Sequence, residues 1–306
     1  MKYILATDSF KGSLSSMEVE AEIAEVLTEK GADVVSLPMS DGGDGMLEAF
    51  TKALGGTIEP VYVHNQMMRR VDAAFGMTAD GTAIVEVAQA CGLELVKEDE
   101  RNPMRATTYG VGELLSRAVK RGCRNFIIGL GGSGTSDAGI GMLKALVDIF
   151  AKGKTFDDAM KTELGECRFT LACDVDNPLC GENGAACVYA PQKGATPQMV
   201  EQLDRRAKLF AEKSALHYGY DRSCCPGAGA AGGLGYAFMQ YLGAEMRSGA
   251  DMLLSLCRFD DVAKDADMII TGEGHADRQT LMGKLPQKVL QRGQQMGVPV
   301  GLVAGR

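Results

Sequence analysis

Short apolar runs alternate with amphipathic helical segments at the start of the chain. Residues 2–6 are typical of a buried strand, and a capping box from Ser15 to Glu18 opens a helix with Val19 and Ile23 on one face. A second apolar run at residues 33–37 precedes a helix that ends near residue 54. The order strand, helix, strand, helix predicts the beginning of a parallel sheet.

The pattern then changes, and it returns near the end of the chain. Asp80-Gly81 is typical of a hairpin turn between two short strands. The predicted elements after residue 54 are strands at 57–64, 69–77 and 82–87, a helix at 112–121, strands at 126–128 and 169–173, a helix from 196 to about 216, a strand at 267–271, a helix at 286–296 and a strand at 298–304.

Neither end of the chain carries enough strands for a sheet of its own. The simplest arrangement joins both ends into one discontinuous α/β domain with a parallel sheet, made of residues 1–60 and 250–306. Residues 61–249 then form an inserted second α/β domain that contains a mixed sheet. The length of 306 residues agrees with about two domains.

Composition and charge exclude several classes of protein. The net charge of -8 argues against nucleic-acid binding, which needs a basic face. No apolar run approaches the length of a membrane-spanning helix. The nine cysteines include no C-x-x-C pair, and an odd count favours free thiols in a reducing cytoplasm. Cys173, Cys180 and Cys187 recur at sevenfold spacing, but the three histidines available as partners do not favour a zinc site.

A glycine-rich loop lies between the apolar run at 126–128 and the helix expected from about residue 140. Backbone N–H groups at such a loop and helix start can bind phosphate. The candidate phosphate-binding residues are Gly131, Gly132, Ser133, Gly134, Thr135 and Ser136. The spacing of Gly129, Gly131 and Gly134 also fits a dinucleotide fingerprint, but Asp148 comes too early for the ribose-binding acid. A tight turn with glycines for close packing is the structural alternative.

Polar residues follow the strands predicted at both ends of the chain. Ligands of open parallel sheets bind outside the carboxyl ends of the strands, so these residues would meet at one edge. They are Asp8, Ser9 and Lys11, then Asp41 and Asp44, and finally Glu273, Asp277 and Lys284. Solvated loop charges remain the alternative for any one of them.

The middle of the chain supplies matching groups. They are Asp137, Asp174, Asp176, Lys193 and a second glycine-rich segment that includes Gly229 and Gly232. Carboxylates that bind Mg²⁺, lysines that neutralise phosphates and a carboxylate that accepts a proton suit phosphoryl transfer. The chain carries neither the P-loop motif nor the protein-kinase motifs.

Several motifs together resemble one family. They are DSFKG at 8–12, DGGDG at 41–45, RNPMRATTYGVGE at 101–113, GLGGSGTSDAG at 129–139, CDVDNPL at 173–179, YAPQKGA at 189–195, PGAGAAGG at 226–233 and TGEG at 271–274. The chain resembles the bacterial glycerate kinases, which implies a split Rossmann-like domain with an inserted domain. The resemblance also implies ATP and Mg²⁺ as cofactors and D-glycerate as the small-molecule substrate. This chain stops at Arg306, whereas similar proteins run on through further α/β units.

Residue roles follow from this chemistry. The predicted catalytic residues are Asp174 as the base, with Lys11 and Lys193 as charge stabilisers, and the predicted metal ligands are Asp44 and Asp277. The predicted substrate- or phosphate-binding residues are Asp8, Ser9, Arg101, Arg105, Gly131, Gly132, Ser133, Gly134, Thr135, Ser136, Gly229, Gly232 and Lys284. Either arginine could pair with the glycerate carboxylate, with a structural salt bridge as the alternative.

The favoured function is phosphorylation of the 2-hydroxyl of D-glycerate. Three alternatives stay open: transfer to the 3-hydroxyl, a nicotinamide-dependent oxidoreductase, and a non-catalytic regulator that binds ATP. The sequence leaves undecided which loop holds ATP, which holds glycerate, and whether the chain forms a homo-oligomer.

Overall fold

The structure is a computed structural model that describes residues 1–10, 13–275 and 284–305. The strands are β1 Lys2–Thr7, β2 Asp33–Ser36, β3 Thr57–His64, β4 Arg70–Met77, β5 Thr82–Glu86, β6 Asn125–Gly129, β7 Arg168–Ala172, β8 Glu245–Arg247, β9 Met268–Glu273 and β10 Val300–Ala304. The helices are α1 Ser16–Glu29, α2 Met46–Ala53, α3 Ala88–Cys91, α4 Tyr109–Lys120, α5 Ile140–Phe150, α6 Phe156–Ala159, α7 Ala185–Tyr189, α8 Pro197–Tyr218, α9 Ala230–Tyr241, α10 Gly249–Leu256, α11 Phe259–Ala263 and α12 Leu285–Met296.

Both ends of the chain meet in one parallel sheet. Among the described residues its strand order is β10-β9-β1-β2, and every neighbouring pair is parallel. Tyr3 of β1 pairs with Val34 of β2 on one side and with Met268 of β9 on the other. The predicted discontinuous Rossmann-like sheet is confirmed.

The middle of the chain forms a mixed sheet with the strand order β3-β4-β5-β6-β7-β8. The pairs β3–β4 and β4–β5 are antiparallel, and the strands from β5 to β8 are parallel. This confirms the predicted α/β fold class with a second, mixed sheet. The predicted domain boundary between residues 60 and 61 falls within β3, so we propose that the inserted domain begins before Thr57.

The two sheets are packed together through α2. One core contains Ile4 and Ile269 of the parallel sheet together with Phe50 of α2 and Ile84 of β5. The other core lies on the opposite side of the mixed sheet and includes α4, α5 and α9. The position of α2 between the sheets fixes the loop that precedes it.

Local sequence signals explain most element ends. Ser15 and Glu18 form the predicted capping box, with the Glu18 N–H donating to Ser15 Oγ at 3.2 Å. Helix α4 begins at Tyr109, earlier than the predicted start at Gly112. A Cβ atom on Gly110 would overlap with the carbonyl oxygen of His64, so close packing explains this glycine in the first turn. None of the helices in the described ranges is long and apolar enough to cross a membrane.

Candidate active site

Three carboxylates crowd the carboxyl edge of the parallel sheet. Asp8 follows β1, Asp41 follows β2, and Glu273 ends β9. Burial and the neighbouring charge of Asp41 raise the pKa of Asp8 well above its ordinary value, and Glu273 adds to this effect. Lys284, directly before α12, donates from Nζ to Glu273 Oε2 at 3.1 Å. This edge therefore carries more negative charge than its lysine neutralises.

The second carboxylate oxygen of Glu273 lacks a hydrogen-bond partner. Oε1 is buried and has none within the described chain, and the side chain is 9% exposed. A buried carboxylate oxygen without a partner is costly in free energy. The edge is thus suited to receive a cation or a hydrogen-bond donor.

The loop between β2 and α2 touches the glycine-rich loop after β6. The Gly131 N–H donates to the carbonyl oxygen of Gly42 at 3.0 Å. A side chain on Gly131 would overlap with the Cα atom of Gly43, and one on Gly42 would overlap with the carbonyl oxygen of Ala172. These glycines allow two backbones to approach each other, which is the packing role left open by the sequence.

Glu86, at the end of β5, ties the mixed sheet to the same region. Its Oε2 atom accepts a hydrogen bond from the Leu47 N–H at the start of α2, at 3.1 Å. Burial raises the pKa of Glu86 to about 7, and Glu48 and Asp44 also raise it while the hydrogen bond from Leu47 opposes them. Asp44 lies against Gly132, where a side chain would overlap with its Oδ1 atom.

Lys193 lies beneath the glycine-rich loop and is buried. Its Nζ atom donates to Ser133 Oγ at 3.0 Å and to the carbonyl oxygen of Thr135 at 2.7 Å. Burial lowers the pKa of Lys193 to about 8, against the opposing effect of Cys91 and Asp137. The lysine therefore fixes the shape of the loop from inside.

Other groups of the loop have mixed roles. Asp137 accepts hydrogen bonds from the backbone N–H groups of Thr108 and Gly141, at 2.8 and 3.0 Å, so it fastens α4 to α5. The buried Ser136 Oγ has no hydrogen-bond partner within the described chain, which makes it the hydroxyl of this loop most suited to a ligand. Gly232 lies against the backbone of Thr135 and is in the left-handed region, so close packing explains it.

A cleft of about 560 Å³ opens at the carboxyl ends of β7 and β8. It is lined by Cys173, Asp174, Asp176, Cys225, Pro226, Met239, Met246, Arg247, Ser248 and Lys288. Asp174 Oδ1 accepts a hydrogen bond from Lys288 Nζ at 3.0 Å, and its Oδ2 accepts one from the Ala250 N–H at 3.2 Å. Both oxygens of the predicted catalytic base are therefore engaged.

Lys288 joins three elements at this cleft. Besides Asp174, its Nζ atom donates to Asp251 Oδ2 at 2.9 Å and to Ser248 Oγ. Sequence reasoning missed this residue, although it lies four residues after Lys284, in the first turn of α12. Arg247 was missed as well, because the short strand β8 gave no clear pattern.

Asp41 lies between the two polar regions. A side chain on Gly249, at the start of α10, would overlap with the carbonyl oxygen of Asp41. Burial raises the pKa of Cys173 to about 12, and the charges of Asp174 and Asp41 contribute. The carboxyl edges of both sheets therefore meet around Asp41, as expected for ligand sites of open α/β sheets.

The remaining predicted residues lie elsewhere. Arg101 donates from Nε to the carbonyl oxygen of Val96 at 3.3 Å, and Arg105 is exposed; neither is among the residues that line the cleft. The Gly229 N–H donates to the carbonyl oxygen of Asn177 at 2.8 Å. Ser9 donates from its backbone N–H to Asp8 Oδ1 at 2.7 Å. Lys11 and Asp277 lie outside the described residues.

Two α/β units whose strand ends meet at a charged cleft are typical of proteins that bind small molecules at that place. Residues 3–306 match the glycerate kinase family, and the chain belongs to that family. The predictions of this family and of a kinase are confirmed.

The chain is similar to named relatives along its whole length. It is 40% identical to the glycerate kinase of Haemophilus influenzae, covering 100% of this chain and 86% of the relative. It is 39% identical to the glycerate 2-kinase of Escherichia coli, covering 100% and 85%. The crystal structure of the putative glycerate kinase 2 from Salmonella typhimurium LT2 superposes with a TM-score of 0.82 at 37% identity, covering 99% of this chain and 86% of the other.

Proposed function

We propose that this protein transfers the γ-phosphate of ATP to the 2-hydroxyl of D-glycerate, giving 2-phosphoglycerate and ADP. Family membership supports glycerate as the acceptor, and the name of the Escherichia coli relative supports the 2-hydroxyl. The observation that carries the proposal is the meeting of the two carboxyl edges at Asp41. It brings the carboxylates around Asp8 next to the cleft at Asp174 and Arg247.

The parallel-sheet edge is the proposed site of the ATP phosphates and Mg²⁺. The unpartnered Oε1 of Glu273 and the elevated pKa of Asp8 both fit a bound divalent cation, which would supply charge neutralisation for the phosphates. No group of carboxylate, histidine and cysteine side chains in the described ranges could hold a metal ion unaided. Proteins commonly bind Mg²⁺ with one or two carboxylates, while phosphates and water complete its coordination.

The protein contributes mainly charge and position to this reaction. Phosphoryl transfer depends on aligned reactants and neutralised phosphate oxygens more than on covalent chemistry. Lys284, bound to Glu273 at the edge, supplies a positive charge there. Asp174 is held by Lys288 and Ala250, so we assign it to ordering the cleft, in place of the base predicted from the sequence.

The glycine-rich loop argues against the nicotinamide-dependent oxidoreductase. Gly131 is occupied by contact with the β2–α2 loop, so its N–H is not available for a dinucleotide pyrophosphate. Ser136 Oγ remains as a donor for a phosphate or hydroxyl oxygen.

All nine cysteines are free thiols, which supports a reducing cytoplasm as the place of the reaction.

The test is ADP formation measured by a coupled assay with D-glycerate, ATP and Mg²⁺. We expect turnover that requires all three and that falls by at least about a hundredfold in Lys284→Met. Arg206→Met, on the exposed face of α8, is the matched control and should keep the normal rate. Tight ATP binding without D-glycerate-dependent ADP would contradict the proposal and favour the regulator, while a fluorescence change on NADH titration would favour the oxidoreductase.

A further inference from the structure

Arg247 is held at the carboxyl edge of the mixed sheet. It is the last residue of β8, pairs with Ala172 of β7, and accepts a hydrogen bond at its carbonyl oxygen from the Cys173 N–H at 3.0 Å. The next residue, Ser248, caps α10 by accepting the Asp251 N–H at 3.1 Å. The backbone around Arg247 is thus fixed on both sides, and its side chain lines the 560 Å³ cleft.

The cleft is lined by two cationic side chains of the described chain. The N–H donors of one are all bound to protein acceptors, whereas most N–H donors of the other are not. In the part of the chain that the structure describes, its charged lining consists of Asp174, Asp176, Arg247 and Lys288. The ammonium of Lys288 is bound by Asp174, Asp251 and Ser248, so each of its N–H groups already has an acceptor.

Arg247 has donors to spare. Its guanidinium donates from Nη2 to Glu245 Oε2 at 3.2 Å, and both side chains are mostly exposed, at 61% and 71%. An exposed ion pair of this kind is weak and exchanges readily with another anion. Most N–H groups of the guanidinium are left for a ligand in the cleft.

We propose that Arg247 binds the carboxylate of the D-glycerate substrate. The planar guanidinium matches a carboxylate with two parallel hydrogen bonds, which also fixes the orientation of the acid. Gly249, two residues further on, touches the carbonyl oxygen of Asp41. The backbone that carries Arg247 therefore lies beside the loop where the two carboxyl edges meet. This inference rests on the proposed function, and it replaces Arg101 and Arg105 as the carboxylate partners.

Steady-state kinetics of Arg247→Met and Arg247→Lys test the assignment. For Arg247→Met we expect the KM for D-glycerate to rise by about thirtyfold or more, with a change in the KM for ATP below about twofold. Arg247→Lys keeps the charge but loses the paired N–H donors of the planar guanidinium, so an intermediate rise of about tenfold in the KM for D-glycerate is expected. Arg206→Met serves as the control with normal constants for both substrates.

An uncharged analogue separates carboxylate recognition from a general effect. The wild-type protein should strongly prefer D-glycerate to glyceramide, and Arg247→Met should lose most of that preference. A rise in the KM for ATP instead, or an unchanged preference in Arg247→Met, would overturn the assignment. If Arg247→Met does not fold, the Arg247→Lys values decide. Absence of glycerate-dependent turnover in the wild-type protein is a different result, and it contradicts the proposed function itself.

Discussion

The backbone N–H of Gly131 donates to the carbonyl oxygen of Gly42 at 3.0 Å, so loops from the two sheets are joined through their main chains. Neither loop can move away without breaking this bond and opening the contact of Gly131 with Gly43. The contact places Asp41 and Asp44 against the mixed sheet. The cleft is therefore formed by residues from both parts of the fold.

A methyl group at Gly131 should weaken the contact between the two loops. In Gly131→Ala the new Cβ atom meets backbone that cannot rotate away, so we expect the free energy of unfolding to fall by about 3 kcal/mol. Gly43→Ala is the matched control, because its Cβ atom meets a side-chain oxygen, Asp41 Oδ1, at 3.0 Å and overlaps with no backbone atom. Its loss should be about 1 kcal/mol or less. Urea unfolding measures both, and equal midpoints for Gly131→Ala and the wild-type protein would contradict the contact.

Because Lys193 is buried, we expect the free energy of unfolding to rise in alkaline solution. Burial lowers its pKa from 10.5 to about 8, so between these values the folded protein has lost a proton that the unfolded chain retains. The free energy of unfolding contributed by this group therefore increases with pH across that window. We expect the wild-type protein to gain stability relative to Lys193→Met between pH 8 and pH 10.5. A constant difference between the two proteins over this range would show that Lys193 is not buried as described.

Because Glu20 is buried, we expect its contribution to the free energy of unfolding to fall with increasing pH, in a lower pH range. Its Oε1 atom accepts the Thr7 N–H at 2.9 Å, and burial raises its pKa from 4.5 to about 8. The folded protein holds a proton that the unfolded chain loses, so this stability is fully present below pH 4.5 and is lost as the pH rises through 8. Glu20→Gln keeps an acceptor for Thr7 and does not titrate. Relative to it, the wild-type protein should lose a few kcal/mol over this range, and parallel profiles in thermal unfolding would refute the assignment.

The Asp174–Lys288 pair should behave as one unit in stability. Both side chains are mostly buried, at 12% and 15% exposure. Removing Lys288 leaves the Asp174 carboxylate without its cation, whereas removing Asp174 leaves Lys288 with Asp251 as its carboxylate partner. We expect Lys288→Met to cost about 3 kcal/mol, Asp174→Asn to cost less, and the double variant to cost clearly less than their sum. Additive losses in denaturant unfolding would mean that the two side chains do not interact.

The contacts that Asp174 makes with Lys288 and Ala250 predict how far kcat depends on Asp174. If Asp174 orders the cleft, the single amide oxygen of asparagine can keep the hydrogen bond from Ala250 but loses the one from Lys288, so kcat should fall by about tenfold. Loss of a general base would cost about a hundredfold to ten-thousandfold. A folded Asp174→Asn protein with a loss in that larger range would restore the role expected from the sequence.

Local patterns were sufficient for much of the fold. The Ser15–Glu18 capping box, the alternation of strands and helices, and the shortage of strands at each end predicted α1 and the discontinuous parallel sheet. The rule that ligands bind at strand ends also predicted the polar edge around Asp8 and Lys284. These features depend on residues close in sequence or on a general property of parallel sheets.

Residues whose role depends on long-range contacts were not predictable in the same way. A glycine that approaches another backbone, such as Gly131, has the same sequence signature as one that binds phosphate. Lys193 could not be recognised as buried until its loop was folded over it. The free donors of Arg247 become evident only when the acceptors of Lys288 are known.

Phosphorus NMR of the product formed from D-glycerate and ATP tests the central claim most directly. Phosphate on the 2-hydroxyl is attached to a CH group, so proton coupling should split its resonance into a doublet. Phosphate on the 3-hydroxyl is attached to a CH₂ group and would give a triplet. A doublet that grows in step with ADP is the predicted result, and a triplet, or ADP formation without a new phosphate ester, would contradict it.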